Sequence, residues 1–579
     1  MDRKTTKNVS LRKVLSLIPH NKRRKAYGAI ASSMILALLD FIGIAVLVPV
    51  LLLVLDQETT LSYPFVNRLY TNVGFQSFEQ FTIAVCLSVV IILIMKSLLM
   101  LAISNSITKY LLSLYKYYSK RMFRTYMYRG LTFIREHNTA QLVNSVNGVC
   151  LRFTEGVLGQ IFSIITGCLL LTMIIAVILC YDPWLILLAM AIFLPLSAIY
   201  IIFFRHKMNE NGRMENKLFI QQNKTLHETM RGYAEIEINN AWQYVNKLFC
   251  DRLKQFSECR RKASLIRTAT GRIAEFSLIV GIVAMIIIGL SANIPMDTLK
   301  MSLGIFAVAA YKIVPSVNRI VNCWMEYKRN SFAAEQIEEA INDDTDKNTN
   351  DTSAILPFKQ AITFDRITFR YAEDARTVIE NFSLTIRKGE TIGIKGTSGA
   401  GKSTLLNLLC GFFKPTNGEI TIDGIRLTPD NRRQWQNNLA YVSQDVFITD
   451  TTIAENIAFG KMPDEIDRHR LAKAINAASL SEFVTTLPYG VDTVTGEGGC
   501  KLSGGQRQRI GIARALYRQA AVLLFDEATS SLDSNTEADI MQAIKQLSAE
   551  HGELTIIIIS HREHTLDFCD RIIELSRHA

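Results

Sequence analysis

Six stretches of this 579-residue chain are apolar enough, and long enough, to cross a lipid bilayer as helices, which takes about 20 residues each. They lie near 26–55, 81–105, 157–180, 183–204, 273–293 and 298–323. Only "YDPW" (181–184) separates the third from the fourth, so those two are expected to form a tight hairpin. The first run is too long for the apolar region of a signal peptide and shows no small-residue cleavage site, so it is expected to stay as an anchor. A hydrophobic content of 49% is high for a soluble enzyme and agrees with a membrane protein.

The net charge of +11 raises nucleic acid as a partner, but its placement argues for a membrane flank instead. Residues 1–25 hold nine Lys/Arg against one Asp, directly before the first apolar run. The loop 56–80 has one basic residue, Arg68, and three acids, Asp56, Glu58 and Glu79, whereas 106–155 has eight basic residues and two acids. The positive-inside rule then places the N-terminus and 106–155 in the cytoplasm, and an even number of spans returns the chain there before residue 330. The polar segments 106–155 and 205–266 contain few turn signals and read as helical rods continuing into the cytosol. "EHNTAQLV" (136–143) and "MRGYAEIEINNAW" (230–242) are the expected transverse tips. The ten cysteines are scattered without a C-x-x-C pair, so free thiols are expected.

The expected organisation is a basic N-terminus (1–25), an all-α membrane domain of six helices with long cytoplasmic extensions (26–335), a polar linker (336–357) containing "DDTDKNTNDTS", and a nucleotide-binding α/β domain (358–579). In the last part, "TIGIKG", "LAYVSQ", "AVLLFDEA" and "LTIIIIS" read as buried strands of a mainly parallel sheet. The loop after the first fits G-x-x-x-x-G-K-[ST] over Gly396, Thr397, Ser398, Gly399, Ala400, Gly401, Lys402 and Ser403, followed by Thr404. Such a loop turns backbone N–H groups and a helix N-terminus toward phosphate. Lys402 is then expected on the β- and γ-phosphates of ATP and Ser403 on Mg²⁺. Asp526 and Glu527 end an apolar strand, where the first suits Mg²⁺ and the second can polarise an attacking water. Gln444 is a metal- and water-contacting candidate, and His561 at another strand end can bond the γ-phosphate.

"KLSGGQRQRIGIARAL" (501–516) resembles the signature of the ATP-binding cassette (ABC) transporters, with LSGGQ as Leu502, Ser503, Gly504, Gly505 and Gln506. The resemblance implies that Tyr371 stacks on adenine and that Gln444 is the Q-loop glutamine. It makes Asp526 and Glu527 the Walker B pair, Asp533 the D-loop residue and His561 the switch histidine. It departs at Ser443, where proline is common, and at Gly498, where many exporters carry an arginine that forms salt bridges to coupling helices. "SGGQ" opens a helix, so its amides serve a phosphate off that end, and in this family that ATP belongs to the other cassette. One cassette per chain therefore implies a homodimer with two hydrolytic sites.

Six spans ahead of one cassette look like the half-size exporter class (type IV fold), located in the cytoplasmic membrane. "AAYKIVPSVNRIV" (309–321), "LIMKSLL" (93–99), "FIGIAVLVPVL" (41–51) and "GEGGCKLSGGQ" resemble bacterial flippases of lipid-linked oligosaccharides. A multidrug, lipid or peptide exporter shares every cassette feature and stays open, as does an ATP-gated channel or regulator. Peptide processing is not expected, since residues 1–25 are too few for a peptidase domain. Charges inside spans usually face a cavity or a partner. Lys96 and Lys312 both fall roughly 21–22 Å from the outer side at 1.5 Å per residue, and Arg319 lies on nearly the Lys312 face. These three are the candidate basic cavity for an anionic, amphipathic substrate. The alternative is that Lys96 pairs with Asp40 or snorkels, and that the other two mark the cytoplasmic end of a shorter span.

Overall fold

The computed structural model describes residues 11–46, 78–181, 183–291, 296–342, 354–371, 376–529, 532–551 and 554–575; the side chains of 11–12, 44–45, 78, 177–206, 270, 274, 277–278, 285, 289, 292–312, 342 and 547–551 are outside that set. The chain divides into two compact units, residues 1–129 with 133–344, and residues 130–132 with 345–579.

The first unit is helical. The described parts of the six apolar stretches fall mainly on six helices: His20–Ala45, Phe78–Tyr128, Gln160–Tyr181, Pro183–Arg231, Trp242–Ser291 and Met296–Asn330. Among the described residues, His20–Gly43, Glu79–Tyr128 and Thr139–Ala176 are long and apolar enough to cross a membrane. Residues 47–55 of the first expected span, and the side chains of 183–204 and of 298–312, lie outside the described set. Three of the helices run for 51, 49 and 50 residues. At 1.5 Å per residue each is roughly 75 Å long, more than twice the hydrocarbon thickness, so about half of each is an extension beyond the bilayer.

The first tip differs from its expected place. The rod stops at Tyr128 because Gly130 is left-handed (φ 82°), and a short separate helix, Gly130–Glu136, follows it. Residues 136–143 instead straddle a break, where His137 is extended and Asn138 caps the next helix, Thr139–Asn144, by accepting from the Ala140 N–H. The second tip, Tyr233–Ile238, lies inside the expected 230–242, and Met230, Tyr233, Ile238 and Trp242 are exposed.

Below the membrane segments the helices are tied by a buried acid. Glu215 accepts both Nε and Nη2 of Arg329, at 2.9 and 2.8 Å, and lies 3.6 Å from Arg260. Burial pulls the Arg329 guanidinium down, but its bonds to Glu215 and Glu326 hold it above its usual value. One turn earlier, Gly212 lets the two backbones meet, since a Cβ there would overlap the Arg329 carbonyl.

In the second unit the four strands read from the sequence, β3 (Thr391–Gly396), β6 (Leu439–Val442), β7 (Val522–Asp526) and β8 (Thr555–Ile559), join β9 (Arg571–Leu575) in one sheet of order β6-β7-β8-β3-β9. Its recorded pairings are parallel, and every residue of β7 and β8 is buried, as strands covered on both faces require. A second, antiparallel sheet of order β2-β1-β4-β5 is built from β1 (Ala361–Phe369), β2 (Ile379–Arg387), β4 (Asn417–Ile422) and β5 (Ile425–Arg426). It encloses a core with β3, the helix Lys402–Leu409 and the fully buried Trp435, while a separate core lies among the helices of 453–518. The cysteines among the described residues are free.

Candidate functional site

The parallel sheet brings its loops to one edge, at the C-terminal ends of β3, β6, β7 and β8. From β3 the chain turns through 397–401 into the helix Lys402–Leu409, with Gly401 left-handed at its N-cap (φ 91°). The Ala400 N–H closes the turn on the Thr397 carbonyl at 3.1 Å. Lys402, itself buried, folds over this loop and donates to the Gly396 and Thr397 carbonyls at 2.8 and 3.2 Å. Gly399 is left-handed with open space around it, and Ser398 is exposed at the tip.

Two carboxylates at the end of β7 face different partners. Asp526 accepts the Ser403 hydroxyl on Oδ1 at 3.0 Å and the Tyr441 hydroxyl on Oδ2 at 3.1 Å. Burial raises its pKa even though both bonds favour the ionised form. Glu527 follows in a left-handed conformation (φ 50°), unusual for a residue with a side chain and of the order of 1 kcal/mol or more in cost. That turn aims its carboxylate at two other strand ends. Gln444 Nε2 donates to Oε2 at 2.9 Å, and His561 Nε2 stands 3.1 Å from Oε1. The same imidazole nitrogen is 3.0 Å from Lys402 Nζ.

The Ser403 hydroxyl, the Asp526 carboxylate and the Gln444 amide oxygen form a hard oxygen set of the kind Mg²⁺ takes beside phosphate. Tyr371 follows β1, with its hydroxyl 2.8 Å from Thr404 Oγ1 and its ring edge-on to Phe369 and Phe413. One side of that ring region remains open, the residue being 47% exposed. Ser503 caps the helix Gly504–Arg518: its Oγ accepts the Gln506 N–H at 3.2 Å, and Gln506 Oε1 accepts the Ser503 N–H at 2.8 Å. Gly504 and Gly505 open the helix and Leu502 is buried behind it. Among the described residues no hydrogen bond joins 502–506 to 396–404 of the same chain. Asp533 accepts the Thr536 N–H at 2.9 Å, which lowers its pKa.

Both departures from the family pattern have local accounts. The Ser443 hydroxyl bonds the Asp445 carbonyl at 2.7 Å, holding the bend that a proline would impose. Gly498 is left-handed (φ 58°), a conformation an arginine adopts only under strain.

In the helical unit, Lys96 lies 3.4 Å from Asp40 with both side chains largely buried (13% and 18% exposed), which is the pairing alternative for this residue. Arg319 is exposed on the helix Met296–Asn330, seven residues beyond Lys312, whose side chain lies outside the described set. Sequence reasoning missed Tyr441, whose place beside Asp526 is set by β6–β7 register. It also missed Arg562, which donates to the Leu532 carbonyl at 3.0 Å and to Glu537 at 2.6 Å, joining the segment of His561 to that of Asp533.

Comparison with known proteins gives the family. The family described as "ABC transporter" matches residues 379–530, and "ABC transporter transmembrane region" matches 46–310. The chain is 30% identical over 466 residues to the ATP-dependent lipid A-core flippase of Burkholderia pseudomallei, covering 79% of this chain and 75% of that one. It is 31% identical over 472 residues to the protein of the same name from Cupriavidus metallidurans, covering 79% and 76%. A solved bacterial Atm1-family ABC exporter with ATP bound superimposes with a TM-score of 0.74 over 96% of this chain and 93% of that one. At 22% identity this last likeness speaks to the fold.

Proposed function

This chain belongs to the ABC transporter family as an ATP-hydrolysing exporter, and from that premise we propose that it works as a homodimer in the cytoplasmic membrane. Its cargo is an amphipathic, anionic, lipid-linked molecule such as a lipid-linked oligosaccharide. The observation that carries the ATPase reading is the convergence of Gln444 and His561 on Glu527. These two side chains orient the carboxylate, leaving it placed to take a proton from water attacking the γ-phosphate of ATP.

Lys402 exchanges its loop carbonyls for phosphate oxygens when nucleotide enters, and Ser403, Asp526 and Gln444 hold Mg²⁺, which offsets phosphate charge. His561, within reach of both Lys402 and Glu527, senses the same phosphate. Tyr371 offers its ring to adenine. Among the described residues the N-terminus capped by Ser503 shares no hydrogen bond with 396–404 of its own chain, which supports a sandwich of two cassettes with each ATP between Lys402 of one chain and Ser503 of the other. The N-terminus and cassette lie in the cytoplasm by the charge asymmetry of the loops. Closing and opening the cassettes moves the helical extensions and alternates access to the membrane cavity.

For the cargo, support comes from relatives named as flippases of lipid A-core and from cations at membrane depth. Arg319 is the accessible one, and Lys96 reaches an anion by exchanging Asp40 for it. In reconstituted membranes, Lys96→Ala and Arg319→Ala are expected to keep basal ATPase and lose its stimulation by an anionic lipid-linked substrate. Translocation of that substrate at the wild-type rate by both variants overturns the anionic cavity. Stimulation by neutral amphiphiles alone points to a multidrug exporter instead.

A further inference from the structure

Asn456 is fully buried in the short helix Ile453–Ile457 and makes none of the contacts that hold Glu527. Its side-chain amide is nevertheless hydrogen-bonded at both its oxygen and its nitrogen. Oδ1 accepts the Thr449 N–H at 3.0 Å and the Thr449 hydroxyl at 3.1 Å, with Arg514 Nη2 at 3.4 Å. Nδ2 donates to the carbonyls of Thr449 and Thr452 at 3.0 and 3.1 Å, and lies 3.2 and 3.4 Å from the hydroxyls of Thr451 and Thr495. The Asn456 carbonyl accepts Arg514 Nε at 2.8 Å. Thr495 closes the ring, its hydroxyl reaching the Thr449 and Thr451 carbonyls at 2.8 and 3.1 Å.

Three separate pieces of chain meet here. Thr449 lies five residues after Gln444, which bonds Glu527. Thr495 lies on the segment that leads into Leu502 and Ser503. Arg514 stands on the helix that Ser503 opens. A buried amide whose donors and acceptor are all engaged cannot exchange partners piecemeal, because each lost bond leaves a polar group unsatisfied in a low dielectric. The three pieces must therefore shift together or stay.

We infer that Asn456 is a positioning residue that makes the segment after Gln444 and the helix opened by Ser503 move as one body, so that the state of a chain's own ATP site reaches the signature it offers its partner. This rests on the homodimer reading. Its consequence is cooperativity between two sites that share no residue. Asn456 itself touches neither nucleotide nor water.

The test uses the full-length protein and reads ATP turnover against ATP concentration for wild type, Asn456→Ala and Thr495→Val. The second variant removes one hydroxyl from the ring with little change in volume and keeps the test usable should Asn456→Ala fold poorly. ATP-dependent cassette dimerisation is measured in parallel in a Glu527→Gln background. Expected for Asn456→Ala are a fall in kcat of about ten- to a hundredfold, the size seen when a remote change misplaces reacting groups, a nearly unchanged KM for ATP, and a Hill coefficient that drops toward unity. Thr495→Val moves the same quantities less. A purely structural role would lower the melting temperature and leave the Hill coefficient and the kcat per folded molecule at wild-type values, which overturns the inference. A wild type with no cooperativity and no ATP-locked dimer overturns the dimer reading first, and this one with it.

Discussion

Glu527 and Glu215 are both carboxylates gripped by two side chains from distant parts of the chain, yet their surroundings fit them for opposite work. Glu527 is held by an amide and an imidazole, its side chain is 25% exposed, and it sits on a left-handed backbone at a strand end. Glu215 is 5% exposed in the middle of a helix, locked by the two-pronged fork of Arg329 with Arg260 beside it. A carboxylate bonded by an amide and an imidazole at a sheet edge, and partly open to solvent, can reach water. One neutralised by guanidinium groups has its lone pairs spent on geometry, and its removal strands buried positive charge. On the proposed reading the first is a chemical device, while the second is a clamp between the long helices of the first unit.

Substitutions at the two sites should separate cleanly. Glu527→Gln should lower ATP turnover by about 10²–10⁴-fold, the range for loss of a general base, with ATP binding and melting temperature unchanged. Near-normal turnover in the purified variant breaks the distinction. Glu215→Ala should cost about 3–5 kcal/mol of stability, read as a lower melting temperature, with the surviving folded protein still hydrolysing ATP. If that variant melts normally but loses turnover, Glu215 belongs with the chemistry instead. Mixing Ser503→Arg chains with Lys402→Ala chains should recover part of the turnover that either pure variant lacks, because a heterodimer confines both lesions to one of its two sites. No recovery in a mixture shown to form heterodimers argues against shared sites. The smallest effect belongs to Gly498→Arg, about 1–2 kcal/mol from forcing a side chain into the left-handed region, with turnover near that of the wild type.

The two glutamates also differ in how far the sequence discloses them. Glu527 is legible because strands covered on both faces are unbroken apolar runs, and a polar residue just past the end of such a run stands at the sheet edge where ligands bind. β3, β6, β7 and β8 were all visible in this way. The antiparallel sheet was not, since β1 and β2 are half-buried, alternate imperfectly and pair with register shifts after Phe364 and Ile367. Glu215 and Arg329 lie 114 positions apart in rods crowded with charge, and no local pattern selects that pair from its neighbours. The Lys96–Asp40 pair sits between these cases: charges inside apolar runs are conspicuous, so the pair could be named in advance as an alternative, though not chosen. The first helix tip was displaced because Gly130 and Asn138 both carry turn signals, and only the backbone shows which one ends the rod.

The most direct measurement is movement of a labelled lipid-linked sugar pyrophosphate between the leaflets of liposomes containing the purified protein. With ATP the wild type should translocate it, and Glu527→Gln should bind ATP and translocate none. Translocation by Glu527→Gln at the wild-type rate, or by the wild type without ATP, contradicts an exporter driven by hydrolysis at Glu527.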